Sequence, residues 1–316
     1  MSYHQITSEE RYMISAYRMQ GFSHAEIARQ LGRHRSTICR EIKRNQRPDG
    51  KYEVARAISC TRRRRRESRS DWRFSTGHLQ IIFRLLRLKW SPEQISGWLR
   101  TNKIFSISHA TIYRYIWYDA FYGGHLYTYL RQSAKRRRKK YRSTDSRGVL
   151  PGKRHISDRP PGAENKSRIG HWEIDTVMGG RDNHCIVTLV ERKTKYTLIG
   201  KLKARTTREL NKRTIQLIQQ QTRPVRSITA DNGTEFHQYE QIESATDTTF
   251  FFATPHHSWE RGLNENTNGL IRQYLPKGQS MADLTQEACN AIAKSLNRRP
   301  RKTLDYKTPE QCYALP

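Results

Sequence analysis

The hydrophobic positions near the N-terminus recur with the spacing of short helices. Ser23 and Glu26 form a capping box, in which a serine and a glutamate three residues apart satisfy the free amides of a helix start. Ile27 and Leu31 then lie on one helix face, and Gly32 marks the point where this helix ends. The pattern predicts the first helix of a pair.

The second helix of this pair is predicted from Arg35 to Arg44, with Ile38 and Ile42 pointing inward. Two such helices joined by a turn of three to four residues are typical of helix-turn-helix domains, whose second helix enters the major groove. The residues left on its outer face are the predicted DNA contacts: Ser36, Thr37, Arg40, Lys43 and Arg44.

A similar pattern returns downstream. Ser91 is a predicted cap, Pro92 takes the first helical position and Gln94 completes a capping box. A second helix follows from His109 to about Trp117. Its predicted DNA contacts are His109, Thr111 and Arg114. Ordinary amphipathic helix pairs in many folds show the same pattern, so charge must decide between the two interpretations.

The charge of the chain favours DNA. Its formal net charge is +30 and its pI is about 10.3, which indicates a polyanionic partner. Residues 1–150 hold 33 Lys and Arg against 11 Asp and Glu, whereas residues 151–316 hold 26 against 18. DNA binding is therefore expected mainly in the first half.

Two basic tracts lie beside the helix pairs, Arg62–Arg66 and Lys135–Lys140. Such runs are usually solvated and disordered, and a localisation signal is a competing interpretation. In a chain of this charge we expect them to bind phosphates without regard to sequence. Contacts predicted in the second tract are Arg136, Arg137 and Arg138.

The second half has a different pattern. A stretch rich in Ser, Asp, Gly and Pro at 143–167 predicts a linker, and residues 171–178 then alternate as a strand. Further strands are predicted at 185–190 and 196–202, a helix at 207–221, a strand at 227–230 and another through Phe250–Phe252. Helical spacing extends from His257 to Tyr274.

Three carboxylates occupy informative places in this pattern. Asp175 lies in the first strand, Asp231 ends the fourth, and Glu265 lies on the later helix, with 55 and 33 residues between successive acids. Two-metal phosphoryl transfer uses ions about 4 Å apart held by oxygen ligands, which suits Mg²⁺ or Mn²⁺. Taken singly, each acid fits an ordinary turn, strand or surface position, so the prediction depends on all three together.

Other chemistries find little support. The five cysteines are scattered without a C-x-x-C pair, which argues against disulfides or a zinc site and fits a reducing cytosol. The adjacent pair His256-His257 is more typical of a surface than of a metal site. No long apolar span, amphipathic membrane helix or signal peptide is recognisable, so no membrane partner is expected.

Longer segments resemble a known family. GHWEIDTV, ITADNGTEF, HHSWERGLNENTNGLIRQYLPKG and LNRRPRKTLDYKTPEQ are similar to the catalytic region of the bacterial insertion-sequence-thirty family of DDE transposases. GFSHAEIARQLGRHRSTICREIKRN and WSPEQISGWL resemble its N-terminal region, so the similarity covers nearly the whole chain. One departure is His34-Arg35 at the start of the first recognition helix, where we expect a small capping side chain.

The resemblance implies a ribonuclease-H-like catalytic fold in which Asp175, Asp231 and Glu265 bind two Mg²⁺ ions, with Mn²⁺ as a substitute. Glu173 and Glu260 are neighbouring alternatives. Glu260 lies about 500° around a continuous helix from Glu265 at 100° per residue, so the two cannot present one carboxylate position. Three further residues are expected to contact DNA near the site: Arg261, Asn268 and Lys277.

The resemblance also implies the reaction and its partners. We expect the protein to recognise terminal inverted repeats and to cleave a strand there so that a 3′-hydroxyl is exposed. That hydroxyl is expected to attack target DNA, and the element is expected to pass through a joined-end or circular intermediate. Two element ends must meet, which predicts a homodimer or larger assembly. The expected location is the bacterial cytoplasm, in association with the nucleoid.

The predicted fold class is multidomain, with α-helical helix-turn-helix domains followed by an α/β ribonuclease-H-like domain that has a mixed five-stranded sheet. The predicted parts are a first helix-turn-helix domain at 1–61, a second at 62–132, a basic linker at 133–168 and a catalytic domain with a helical extension at 169–316. Two rival functions are a non-enzymatic DNA-binding regulator and a ribonuclease acting on RNA–DNA hybrids.

Overall fold

The structure, a computed structural model, describes residues 5–68, 74–131, 152–180, 183–255 and 257–314. These residues belong to two compact units, Met1–Gly77 and His78–Pro316. The predicted contacts Arg136, Arg137 and Arg138, with the rest of the Lys135–Lys140 tract, lie outside the described residues.

The first unit contains four helices: α1 (Ser8–Met19), α2 (His24–Gln30), α3 (Arg35–Asn45) and α4 (Val54–Ser68). The predicted capping box is present, because Ser23 accepts from the Glu26 amide while Glu26 accepts from the Ser23 amide. His34 caps α3 through its imidazole, which accepts from the Ser36 amide. The recognition helix therefore starts where the pattern predicted, despite its unusual cap.

Isoleucines form the core of this unit. Ile14, Ile27, Ile38 and Ile42 are fully or almost fully buried at the centre of α1, α2 and α3. Burying each such side chain contributes about 1.5–3 kcal/mol. The helix pair is thus held by the apolar face that the sequence pattern predicted.

Helix α4 differs from the prediction. The expected boundary between residues 61 and 62 falls inside α4, and the Arg62–Arg66 tract is helical rather than disordered. Ala57 is buried, and Arg64 donates to the Arg44 carbonyl and to Asn45, so this helix packs along α3. Helix propensity and this packing order a run that charge alone would leave in solvent.

Three further helices follow in the described chain: α5 (Thr76–Arg87), α6 (Pro92–Thr101) and α7 (His109–Phe121). The boundary between the two units falls in the first turn of α5, and the rest of these helices belongs to the second unit. The predicted cap of α6 is present, since Ser91 and Gln94 cap it reciprocally. At the start of α7, Ser108 accepts from the Thr111 amide. Helix α7 continues four residues beyond the predicted end at Trp117.

The end of the predicted linker is instead part of the second unit. Residues 156–158 form a 3₁₀ turn and α8 (Pro161–Glu164) follows. Ile156 and Ala163 are buried, and the Phe252 amide donates to the Arg154 carbonyl. Two well-spaced apolar residues suffice to pack this segment, although they are too few to give a period in the sequence.

A mixed five-stranded sheet forms the centre of the second unit. Its strands are β1 (His171–Met178), β2 (Cys185–Glu191), β3 (Thr197–Leu202), β4 (Ser227–Ala230) and β5 (Thr249–Phe252), in the order β3-β2-β1-β4-β5. The first three strands pair antiparallel, and β4 and β5 extend the sheet parallel to β1. This topology is that of the predicted ribonuclease-H-like fold.

Helices cover both faces of the sheet. They are α9 (Thr207–Gln219), α10 (Glu240–Thr246), α11 (Gly262–Ile271), α12 (Gln286–Asn297) and α13 (Pro309–Ala314). Leu210 and Leu217 of α9 pack on the face that contains Ile174 of β1. Leu270 of α11 packs on the opposite face, with Val177. Because side chains alternate along a strand, odd-numbered residues of β1 face α11.

Helix α6 packs against the C-terminal part of the same unit. A Cβ atom on Gly97 would lie 2.0 Å from the Tyr306 ring, so only glycine fits at this approach. Lys302 pairs with Glu93 at 2.8 Å, and the Lys89 ammonium donates to the Gln273 carbonyl. The second helix pair therefore belongs to the same compact unit as the five-stranded sheet, whereas the sequence predicted a separate domain at 62–132.

The side chain of Asn297 pairs with the backbone of β3 at the edge of the sheet, and this contact leads to a prediction. Asn297 donates to the Thr197 carbonyl at 2.9 Å and accepts from its amide at 2.8 Å, both within the protein interior. Asn297→Ala leaves two buried backbone groups unpaired, and we expect a loss of about 2–5 kcal/mol in the free energy of unfolding, measured by urea denaturation. Lys294→Ala, at an exposed position of α12, is the matched control. Equal losses in the two variants would contradict the predicted role of Asn297.

Candidate active site

The first predicted acid lies in the middle of β1. Asp175 is paired with Thr188 of β2 and, as an odd-numbered residue, faces α11. Its side chain is 23% exposed. The strand thus presents this carboxylate at the boundary between the sheet and the helix layer.

The second acid reaches the same level through the parallel pairing of β1 and β4. Trp172 lies opposite Ile228, and Glu173 lies opposite Thr229. Extending that register by two residues places Asp231 opposite Asp175. Asp231 directly follows the last residue of β4, where its Oδ1 accepts from the Gly233 amide at 2.9 Å.

A guanidinium lies between the two carboxylates. Arg261 Nη1 is 3.1 Å from Asp231 Oδ2, and its Nη2 is 3.6 Å from Asp175 Oδ1. Burial raises the pKa of Asp175; the Arg261 charge opposes this rise and the Asp231 charge adds to it. Two carboxylates at one level attract a cation, and here Arg261 supplies it.

Helix α11 holds β1 through amide side chains. Asn268 donates to Asp175 Oδ2 at 2.7 Å, and the buried Asn264 donates to the Ile174 carbonyl at 3.2 Å. Arg272 donates to the Met178 carbonyl at 2.7 Å. The spacing of the sequence predicts one shared helix face for Arg261, Glu265, Asn268 and Arg272. Three of the four contact β1, whereas Glu265 is exposed. The helix is shorter than predicted, because residues Ser258–Arg261 form a 3₁₀ turn before α11 begins.

The third predicted acid is not assembled with the other two. Glu265 lies on α11 with an exposed side chain, and the described residues contain no group of three His, Cys, Asp or Glu that would hold a metal. Glu265 is three residues before Asn268, so the two are neighbours on the helix surface. The structure thus brings together Asp175 and Asp231 but leaves Glu265 at the rim.

Two of the three predicted metal ligands, Asp175 and Asp231, are arranged as a divalent cation would require. Paired aspartate oxygens are hard ligands suited to Mg²⁺, and the intervening guanidinium shows that a positive charge is favoured between them. Arg261 also has a buried Nε without a hydrogen-bond partner among the described residues. In this position, the Arg261 guanidinium therefore keeps one buried hydrogen-bond donor that is not used.

The two alternative acids have structural partners. Glu173 is 2% exposed and pairs with Arg192 at 2.6 Å. Glu260 accepts from the Thr254 amide and hydroxyl at 2.8 and 2.9 Å. Burial would raise the pKa of Glu260, but hydrogen bonds from Thr254 and His257 lower it overall.

Sequence reasoning missed two residues beside Asp231. Glu235, which is 3% exposed, accepts from Thr176 at 2.8 Å and from Arg205 at 2.6 Å. A Cβ atom on Gly233 would come within 2.5 Å of Glu235, so the glycine is required for space rather than for a left-handed turn. Lys153 donates to Asn232 at 2.9 Å, from the segment expected to be a linker. The glutamate four residues after Asp231 was the only signal.

Of the predicted DNA contacts, those among the described residues lie on α3, on α7, on α11 and in the turns on either side of α11. On α3, Arg40, Lys43 and Arg44 are exposed, whereas Ser36 and Thr37 are partly buried. On α7, His109 and Arg114 are exposed, and Arg114 donates to Thr111. Lys277 is exposed just after α11. Arg261 and Asn268 instead contact the aspartates, so their side chains are engaged within the site.

Comparison with known proteins agrees with this architecture. A helix-turn-helix domain family model matches residues 2–45, which include α1 to α3. The transposase for insertion sequence element IS4351 of Bacteroides fragilis is 40% identical, over 98% of this chain and 95% of that protein. The transposase for IS1086 of Cupriavidus metallidurans is 35% identical, over 99% and 95%. Transposase InsI for IS30A of Escherichia coli K12 is 34% identical, over 97% and 82%.

Among solved structures, the catalytic core domain of BIV integrase is similar with a TM-score of 0.37 and 22% identity, covering 46% of this chain and 93% of that one. In the described ranges, no helix is long and apolar enough to cross a membrane. The N-terminal helices and the sheet define a helix-turn-helix protein with a ribonuclease-H-like domain. By its sequence relatives, the chain belongs to the IS30 family of insertion-sequence transposases.

The loop beneath the site generates a second prediction. Glu235→Gln weakens charge-assisted hydrogen bonds to Arg205 and the bond to Thr176, and we expect a loss of about 1–3 kcal/mol in the free energy of unfolding. Glu287→Gln, at an exposed position on α12, should change it by less than about 0.5 kcal/mol. Urea denaturation of both variants measures the difference. An unchanged midpoint for Glu235→Gln would show that this buried acid does not brace the loop.

Proposed function

We propose that the protein is a transposase that binds the terminal inverted repeats of its insertion sequence and cleaves DNA strands there to expose a 3′-hydroxyl. This hydroxyl then attacks a phosphodiester of target DNA, which joins the element end to the target and releases a 3′-hydroxyl of the target strand. The observation that carries this proposal is the register of β1 and β4, which places Asp175 and Asp231 side by side around one positive charge. Membership of the IS30 family supplies the substrate class.

The proposed cofactor is Mg²⁺, with Mn²⁺ as a substitute and two ions per active site, held by Asp175, Asp231 and Glu265. Divalent ions at such a site polarise the phosphodiester and stabilise the attacking and leaving oxygens of an in-line displacement. Asn268 and the Gly233 amide fix the orientations of the two aspartates through their hydrogen bonds. Glu265 is presented by the same helix that holds Asp175 in place.

Arg261 has a separate part in this proposal. Its guanidinium occupies the space between the aspartates, so it must withdraw when divalent ions bind there. Withdrawal leaves it beside the site as a donor for a DNA phosphate, the role that the sequence predicted. Lys277 is proposed as a second phosphate contact, in the turn six residues after the end of α11.

Recognition of DNA is proposed for the helices of the first unit and for α7. Arg40, Lys43 and Arg44 form an exposed basic face on α3, as a recognition helix in the major groove requires. The Arg62–Arg66 tract adds phosphate contacts from α4. We further propose that two or more copies assemble to join the element ends, in the cytoplasm and in association with the nucleoid.

The proposed acids are tested by strand cleavage. Asp175→Asn, Asp231→Asn and Glu265→Gln should each reduce cleavage of element-end DNA in Mg²⁺ by more than about 100-fold, because removing a metal ligand costs more than removing one of its supporting residues. End binding, measured in EDTA, should persist in all three. Glu260→Gln is the matched control, since this acid binds Thr254 instead.

The same assay separates the rival functions. Undiminished cleavage in all three acid variants would overturn the proposed site, and a wild-type chain that binds ends without cleaving them would be a regulator. A chain that degrades RNA–DNA hybrids but neither cuts nor joins element ends would be a ribonuclease.

The fit of divalent ions is tested without activity. Arg261→Gln removes the cation between the aspartates, so the variant should have a lower Tm in EDTA and a larger rise in Tm on adding Mn²⁺ than the wild type. Arg272 lies on the same helix face but donates only to backbone carbonyls. In the control variant Arg272→Gln, the rise in Tm on adding Mn²⁺ should therefore match that of the wild type. Identical Mn²⁺ responses in all three proteins would argue against ions between Asp175 and Asp231.

A further inference from the structure

A basic pocket lies where α6 meets the C-terminal part of the second unit. Its volume is about 230 Å³, and it is lined by the start of α6, by Asn266 and Leu270 of α11 and by the segment after α12. Asn266 of α11, the residue after Glu265, forms part of its wall. The pocket therefore adjoins the candidate active site but is built from different residues.

The charges of this pocket are unbalanced. Five cations line it: Lys89, Arg131, Arg299, Arg301 and Lys302. Its single carboxylate, Glu93, pairs with Lys302 at 2.8 Å. The other four cations donate to neutral acceptors, which are backbone carbonyls, amide side chains and the Tyr274 hydroxyl. Four positive charges thus share one pocket without a carboxylate partner among the described residues.

Two of these cations, Arg299 and Arg301, are buried in a way that is energetically unfavourable. Arg299 is only 1% exposed, and its Nε has no hydrogen-bond partner in the described structure; the same holds for the Nε of Arg301. Burial, with the nearby charge of Arg299, lowers the pKa of Arg301 to about 9. Burial and the charge of Arg131 also lower the pKa of Arg299. Desolvated like charges destabilise a fold unless an anion compensates them.

We propose that this pocket binds a phosphodiester group of the DNA backbone. A phosphate oxygen accepts several charge-assisted hydrogen bonds, and two arginine forks with unused N–H groups match that geometry. The position agrees with this ligand, since α6 belongs to the second helix pair and α11 presents Glu265. This assignment rests on the proposed action on DNA.

The first test is the salt dependence of DNA binding by the full chain in EDTA. Arg131→Gln and Arg301→Gln should each flatten the slope of log K against log salt by about 0.9 for duplex DNA, the value for one lost phosphate contact. Lys212→Gln removes the same charge from an exposed position on α9, across the sheet from the pocket, and should leave the slope unchanged. Unchanged slopes in the pocket variants, or an equal change in Lys212→Gln, would overturn the proposal.

Thermal unfolding distinguishes an anion site from a merely structural cluster. In chloride, Arg301→Gln should raise the Tm, because it removes a repelled, desolvated charge. Inorganic phosphate at matched ionic strength should stabilise the wild type more than the variant. A Tm that falls in Arg301→Gln, with an unchanged response to phosphate, would assign these cations to the fold alone. Stabilisation by phosphate without any change in the DNA slopes would assign the pocket to free phosphate and overturn the DNA assignment.

Neither measurement involves strand cleavage or a divalent ion. Loss of cleavage activity in the acid variants, or its absence in the wild type, therefore leaves both results interpretable. The phosphate site and the proposed reaction can fail independently.

Discussion

The parallel pairing of β1 with β4 is the constraint on which the rest of the second unit depends. It places Asp175 and Asp231 at one level of the sheet, where their mutual repulsion demands a cation. Arg261 meets that demand, and Asn268 completes the hydrogen bonding of Asp175. The turn before α11 and the helix itself are thereby fixed against β1. A site arranged to receive positive charge is thus also a junction of the fold.

A second electrostatic imbalance, of opposite sign, lies on the side of α11 that carries Asn266 and Leu270. There the pocket between α6 and the segment after α12 concentrates arginines whose charges are only partly solvated. Acidic residues on one side of the helix and basic residues on the other are each unfavourable in isolation. Under the proposed function, divalent cations would stabilise the acidic arrangement and a DNA phosphate would stabilise the basic one.

Much of this architecture follows from local sequence signals. The capping residues Ser23, Ser91 and Ser108 fix helix starts through their own side chains, so both helix pairs were predictable. The alternation at 171–178 likewise marked β1. These signals act over a few residues, and tertiary contacts did not override them. In contrast, α4 and the segment at 152–168 are ordered by packing partners distant in sequence, which neither composition nor period reveals.

The sequence by itself determined the identities of the carboxylates, their chain order and the elements that carry them. Only the tertiary structure decided which of them meet, because the register between β1 and β4 sets that distance and no local pattern encodes it. It also placed Arg261 between the aspartates and Glu235 in contact with Thr176, and it left Glu265 exposed on α11. Finally, it joined the second helix pair to the catalytic fold through the close approach of Gly97 to Tyr306, a steric fit between residues more than two hundred positions apart.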